Sequence, residues 1–149
     1  MPSPFRDALE EATTKSLPPD HVVRRVEDWL TRINALYALI VRWLPSGYCA
    51  DLTQTTSMQE ELMVKAGVPA TELPILRIYR DSDHVLTIQP YALWIIGANG
   101  RLKAFGPQAY ANIVDRADNF ESPEWNIAIG ADRHAMVPLT QDEFLRLLS

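Results

Sequence analysis

The chain has 149 residues, of which 47% are hydrophobic and 22% are charged, and its formal net charge is -5. This composition is ordinary for a single soluble domain. The modest negative charge argues against a protein built to hold nucleic acid or an anionic membrane. Cys49 is the only cysteine, which excludes an intrachain disulfide and a metal site made of thiolates. We therefore expect a cytoplasmic protein that binds neither nucleic acid nor membranes.

The N-terminal part of the chain is predicted to be helical. Ser3-Pro4 has the cap-and-proline arrangement of a helix start. It predicts a first helix within residues 1–18, loosely docked on a single domain that spans residues 1–149. The longest helix is predicted from Asp20 to Leu44, where a Pro-Ser-Gly sequence ends it.

The predicted long helix carries a wide apolar stripe. Its apolar residues recur at alternating spacings of four and three: Val22, Val26, Trp29, Ile33, Leu36, Ile40 and Trp43. That spacing alone is typical of a coiled coil. A neighbouring apolar row that includes Tyr37 widens the stripe, which favours burial against a sheet. The polar residues are expected to form a solvated face: Arg24, Arg25, Glu27, Asp28, Arg32 and Arg42.

Two capping boxes predict shorter helices. Ser57-Met58-Gln59-Glu60 predicts a helix over Met58–Ala66, and Thr140-Gln141-Asp142-Glu143 predicts a terminal helix. An edge strand is predicted between the long helix and the first box, within Tyr48–Thr56.

The second half of the chain is predicted to be a series of strands. Its central feature is a hairpin over Tyr91–Phe105, in which Leu93–Ile96 forms an apolar strand and Asn99-Gly100 forms a type I′ turn. Pro90 is expected to set a bend or bulge just before this hairpin. The other strands are predicted at Ile75–Arg80, His84–Gln89, Tyr110–Arg116 and Trp125–Ile129, and residues His134–Val137 are predicted to pair back with the last of these. For Tyr110–Arg116 a helix is the alternative.

These elements define an α+β fold. Two N-terminal helices, one of them long, and a short third helix pack on a meandering, mostly antiparallel sheet, and a short helix closes the chain. The order of helix, helix, strand, helix and then several strands is similar to that of the cone-shaped folds of the nuclear transport factor 2-like group. The resemblance implies a fold and carries no function.

The sequence contains few arrangements that indicate chemistry. The three histidines lack zinc-binding spacings, and we predict no metal and no cofactor. Cys49 is predicted to be a buried or half-buried structural thiol. Asp81, Asp83 and His84 are the candidate site residues, because two carboxylates beside a histidine can bind a divalent cation or act as acid and base. The favoured alternative for this cluster is a hairpin turn, in which Asp and Ser are common.

The first functional hypothesis is a non-catalytic protein-interaction or accessory/regulatory module of a soluble, bacterial-type protein. Its partner is another protein or a second copy of itself. The alternative is a small-molecule-binding domain or enzyme with a pocket between the long helix and the sheet. The aromatic residues are spread over every segment without interleaved basic residues, which does not favour stacking on single-stranded nucleic acid.

Overall fold

The computed structural model describes residues 17–95, 98–130 and 135–149. The predicted first helix, the turn at residues 131–133 and His134 lie outside these ranges. The described elements are, in chain order, α1 (Pro19–Trp43), β1 (Tyr48–Asp51), β2 (Thr55–Met58), α2 (Glu61–Lys65), β3 (Thr71–Pro74), β4 (Leu76–Arg80), β5 (Asp83–Ala92), β6 (Arg101–Phe105), β7 (Tyr110–Asp115), β8 (Trp125–Ile129), β9 (Val137–Pro138), α3 (Gln141–Leu145) and a final 3₁₀ turn (Arg146–Leu148).

The predicted α+β class is confirmed. Seven strands form one antiparallel sheet in the order β1-β4-β5-β6-β7-β8-β9, and β2 pairs with β3 in a separate hairpin. The strands from β4 to β9 lie side by side in chain order, so the sheet is a meander, as predicted. Within the described ranges, none of the helices combines the length and the apolar character that crossing a membrane requires.

Helix α1 covers one face of this sheet with its apolar stripe. Trp29, Ile33 and Ile40 are fully buried in one core cluster with side chains of the strands. The hydroxyl of Tyr37 lies 2.9 Å from the carbonyl oxygen of Pro74 and 3.1 Å from that of Ile88. Burial raises the pKa of this hydroxyl far above its usual value. The stripe therefore packs against the sheet, as its width predicted.

The predicted hairpin over Tyr91–Phe105 is wrong in its first arm and in its turn. β5 ends at Ala92, and Leu93 and Trp94 are buried in the connection to β6 and lie outside any strand. Asn99 is fully buried. Its side chain accepts a hydrogen bond from Arg25 Nη1 at 2.7 Å and donates to the carbonyl oxygens of Ala117 and Asp118 at 2.6 and 2.8 Å. These long-range hydrogen bonds outweigh the local turn preference.

The bulge predicted at Pro90 is confirmed by a shift of register between Pro90 and Ala92.

Two arginines assigned to the solvated face of α1 lie in the protein interior. Arg25 and Arg32 are only 1% and 3% exposed. Arg32 donates to Asp28 and to Asp115 at 2.5 Å each, and also to the carbonyl oxygen of Glu121. The prediction failed because burial of a charge requires partners, and apart from Asp28 these partners are remote in sequence.

The fully buried carboxylate of Asp115 joins several segments. Besides the bond from Arg32, its Oδ1 accepts hydrogen bonds from the backbone amides of Ala117 at 3.0 Å and Glu124 at 2.8 Å. The backbone carbonyl of Asp115 accepts from Asn99 N at 2.7 Å, so the connection before β6 is attached to the same point. We call Arg25, Asp28, Arg32, Asn99 and Asp115 the buried polar network. Its two arginines and two aspartates balance in charge.

The capping box at Ser57–Glu60 is also wrong. Ser57 lies in β2, and α2 begins only at Glu61. The Glu60 carboxylate accepts a hydrogen bond from the amide of Leu93 at 2.6 Å. The box at Thr140 is confirmed in part, because the Thr140 hydroxyl accepts from the amide of Glu143 at 3.2 Å and caps α3.

Substitution of Gly100 by alanine is expected to destabilise the fold severely. Gly100 has a φ of +116°, and an added Cβ would lie 2.6 Å from two ring atoms of the buried Trp29. Backbone strain and overpacking together should lower the free energy of unfolding by about 3 kcal/mol, measured by chemical denaturation. Gly67→Ala is the control, because Gly67 has a φ of +73° and open space around it. It should lose only about 1 kcal/mol. Equal losses would show that contact with Trp29 is unimportant.

Neutralising Asp115 is expected to destabilise the protein more than neutralising an exposed carboxylate. Asp115→Asn leaves the nearly buried Arg32 without its closest buried counter-charge and should cost about 3–5 kcal/mol in denaturant titrations. Glu61→Gln removes the partner of an exposed pair with Lys65 and should cost at most about 1 kcal/mol. A loss below about 1 kcal/mol for Asp115→Asn would contradict the role of the network.

Candidate interaction surface

The sequence candidates Asp81, Asp83 and His84 lie together at the β4–β5 hairpin. Asp81 is exposed with a φ of +57°, and its amide donates to the Gly47 carbonyl at 3.2 Å. Asp83 is exposed and pairs with Arg80 at the start of β5. Sequence and structure thus agree that these two aspartates belong to a tight reversal of the chain.

The side chain of His84 contacts neither carboxylate within the described residues. Its Nε2 lies 2.6 Å from the Thr87 hydroxyl, and its ring meets that of Tyr79 edge to face at a centroid distance of 5.7 Å. No cluster of three or more His, Cys, Asp or Glu side chains within the described ranges could hold a metal ion. An acid–base or metal role for the three candidates stays a prediction from the sequence.

The region between α1 and the sheet is filled where the structure describes it. Trp29 lies over Gly100, and its ring centroid is 6.3 Å from that of Trp125. Leu36 and Ile40 continue the packing and are at most 1% exposed. These aromatic and aliphatic side chains therefore act as core.

Cys49 differs from its predicted setting. It is exposed on β1, at the edge of the seven-stranded sheet. The prediction of a buried or half-buried thiol is therefore wrong, because alternation places Cys49 opposite Tyr79, away from the core.

The face of the sheet opposite α1 presents basic and aromatic side chains on β4 to β7, although Thr87, Asn112 and Val114 on the same face are buried. The reason is strand alternation: Leu76, Ile88, Leu102 and Ile113 point to the core, so their neighbours along each strand point away. Register then places these neighbours together, since Arg77 pairs with Thr87, Thr87 with Phe105, and Phe105 with Tyr110. We call the following residues the basic–aromatic strip: Arg77, Tyr91, Arg101, Lys103, Phe105 and Tyr110.

The aromatic members of the strip are well exposed. Tyr91 is 55% exposed, and Phe105 and Tyr110 are each 39% exposed. The bulge at Pro90 places Tyr91 beside β6, where Arg101 lies 4.4 Å and Lys103 Nζ 3.9 Å from the ring centroid. Cation–π contacts at these distances hold the basic side chains over the sheet.

The three cations of the strip have no carboxylate partner within the described ranges. Among those residues, no Asp or Glu oxygen lies within ion-pair distance of Arg77, Arg101 or Lys103. The nearest acid across the sheet is Asp51, which pairs with Arg77 in the β1–β4 ladder. Hydrogen bonds from the hydroxyl and amide of Thr53, with a smaller contribution from the charge of Arg77, lower the pKa of Asp51.

Three buried polar atoms of this face lack hydrogen-bond partners among the described residues. They are Nε of Arg77, Nε of Arg101 and Oδ1 of Asn112, whose side chain is only 2% exposed. Asn112 pairs with Lys103 and so lies in the middle of the face. The Nε1 atoms of Trp29 and Trp94 in the core also lack a hydrogen-bond partner among the described residues, so unpaired buried atoms are not specific to this face.

A groove of about 290 Å³ adjoins the strip between the β2–β3 hairpin and the end of β5. Tyr91 and Gln89 line one side and Ser57 and Glu60 the other. This volume lies at the lower limit of small-molecule sites. The Glu60 carboxylate already accepts the Leu93 amide, so it holds the connection after β5 in place.

The strip was missed from the sequence, although part of its signal is visible there. Arg101, Lys103 and Phe105 alternate with Leu102 and Ala104, which marks one outward face of β6. The premise that basic residues do not interleave with aromatic ones is wrong for the folded sheet, because register and the bulge bring them together. That arrangement requires pairing between strands, which single-strand periodicity does not provide.

A comparison with protein-family models, with curated proteins and with solved structures finds no match for this chain. The similarity in element order to the nuclear transport factor 2-like group stays a prediction from the sequence.

Replacing Asp81 by glycine tests whether this position serves the turn. Glycine adopts a positive φ without strain. Asp81→Gly should therefore leave the free energy of unfolding unchanged or raise it by up to about 1 kcal/mol. Ser82→Gly is the matched control. Ser82 is not at positive φ, so glycine relieves no strain there. Glycine raises the conformational entropy of the unfolded chain, which should lower the free energy of unfolding slightly. A marked loss for Asp81→Gly alone would show that its carboxylate has a structural or binding role beyond the turn.

Proposed function

We propose that this chain is a non-catalytic protein-interaction module of an accessory or regulatory kind, and that it binds its partner through the open face of the sheet. One observation carries the proposal: exposed aromatic side chains lie beside basic side chains that form no ion pair within the described residues, on a sheet face that α1 does not cover. Tyrosine and arginine are enriched at protein interfaces, where they combine contact area with hydrogen bonds.

The packing of the core supports the same proposal. The side chains between α1 and the sheet are closely packed, which favours an external binding surface over an internal ligand cavity. The partner is another protein or a second copy of this chain. A cytoplasmic setting belongs to the proposal, since an exposed thiol such as Cys49 persists in a reducing compartment.

Photo-crosslinking tests the proposed surface. A photoreactive phenylalanine analogue replaces Phe105 in the strip, and the same analogue replaces Val64, which is 59% exposed on α2. After irradiation in an extract of the source cells, position 105 should give a discrete adduct that excess unlabelled wild-type chain competes away. Position 64 should give none. Irradiation of the purified chain alone identifies self-association by an adduct of twice the chain mass.

Two results would contradict the proposal. One is the same set of adducts at both positions, which indicates non-specific contact. The other is the absence of a competed adduct at position 105 and also at a second strip position, Tyr110.

A further inference from the structure

We infer that the partner of the basic–aromatic strip is an acidic segment of another protein, whose carboxylates pair with Arg77, Arg101 and Lys103. This inference rests on the proposed function and specifies the chemistry of the partner. The segment would cross β5 between β4, which carries Arg77, and β6, which carries Arg101 and Lys103. Its apolar or aromatic side chains would contact Phe105 and Tyr110.

The first argument is the unused bonding capacity of the two arginines. Within the described part of the chain, neither Arg77 nor Arg101 forms an ion pair, and the Nε atom of each is shielded from solvent without an acceptor. Arg77 Nη1 donates one long hydrogen bond, of 3.5 Å, to Gln54 Oε1. A guanidinium presents its donors in a fixed fork that matches both oxygens of a carboxylate. Because these Nε atoms are shielded, a carboxylate that approaches from the open side would pair with the terminal nitrogens of the guanidinium groups.

The second argument is charge complementarity. The chain as a whole carries a net charge of -5, and yet this face presents three cations, with Asp51 at its margin. A local positive surface on an acidic protein attracts an acidic segment and orients it towards this face. The remaining acidic surface of the protein repels the same segment, so binding elsewhere is disfavoured.

The same charges argue against face-to-face pairing of two copies. In a two-fold symmetric dimer each interface patch meets itself. Arg101 and Lys103 of one copy would then lie near Arg101 and Lys103 of the other, without carboxylates between them. Like charges placed opposite each other cost several kcal/mol.

The arrangement around Tyr91 argues against single-stranded nucleic acid. Recognition of single strands depends on bases that stack on free aromatic rings. The ring of Tyr91 already has Arg101 and Lys103 lying 4.4 and 3.9 Å from its centroid. A base would have to displace these cations, and the net charge of the chain opposes a phosphate backbone. A carboxylate, in contrast, binds the cations where they lie.

A peptide titration tests the inference. The probe is a short fluorescein-labelled peptide of alternating Glu and Tyr, titrated with the full chain and followed by fluorescence anisotropy. Binding should saturate and should weaken as salt is added, because salt screens exposed charges. A peptide with Gln in place of Glu should bind at least about tenfold more weakly.

Charge reversals locate the site. The double variant Arg101→Glu with Lys103→Glu should weaken binding of the Glu–Tyr peptide at least about tenfold. The control double variant Arg42→Glu with Lys65→Glu makes the same change in net charge at exposed helix positions. It should change binding less than about twofold. Circular dichroism spectra and thermal midpoints establish that both variants are folded.

Four results would overturn the inference: no saturable binding of the Glu–Tyr peptide at about 1 mM chain, equal binding of its Gln counterpart, equal losses in both double variants, or tighter binding of an oligothymidine of similar length. If position 105 crosslinks to a partner while the acidic peptide fails to bind, the proposed function stands and the acidic chemistry is wrong. If the peptide binds at the strip but no competed adduct forms in the extract, the surface recognises acidic peptides without serving the proposed function.

Discussion

The contact between Arg32 on α1 and Asp115 at the end of β7 is the interaction on which the arrangement of this molecule depends. A buried charge pair is stable only when its remaining donors and acceptors are also bonded. Here Asp115 accepts two backbone amides from the segment after β7, and Arg32 also binds Asp28 and the Glu121 carbonyl. The pair thus joins a helix, a strand end and a connection. It fixes which face of β7 meets α1.

That choice of face determines the surface available for binding. With Asp115, Ile113 and Ala111 directed towards α1, alternation directs Asn112 and Tyr110 to the opposite side. Antiparallel register then extends the two faces over the neighbouring strands, because a shift by one residue would exchange them. The open face is consequently a product of the same polar network that anchors the helix.

Most of the architecture was predictable because it depends on local patterns. The stripe of α1, the alternation in β7 and β8, and the cap at Thr140 are each contained in short segments. The errors concern residues whose partners are distant in the chain. Asn99-Gly100 has the composition of a turn, yet Asn99 bonds to Arg25 on α1 and Gly100 accommodates the Trp29 ring. Glu60 has the spacing of a capping box and binds Leu93 across the fold. The strip was missed for the same reason, because the position of Tyr91 depends on a bulge and on pairing with β6.

The arginines of this protein fall into two groups. One is buried and bonded within the fold, and the other lies on the sheet face opposite α1. Arg32 is almost completely buried and is bonded to two carboxylates, so its charge is part of the structure. Arg77 and Arg101 lie on the opposite face, where neither is in ion-pair contact with a carboxylate of the described residues, although Asp51 lies beside Arg77. Exposed charges of this kind contribute little to stability. A fold that needed only a solvated outer face would be served equally well by mixed charges. The concentration of cations and aromatic rings on this face, on a chain that is acidic overall, is the feature on which the proposed interaction rests.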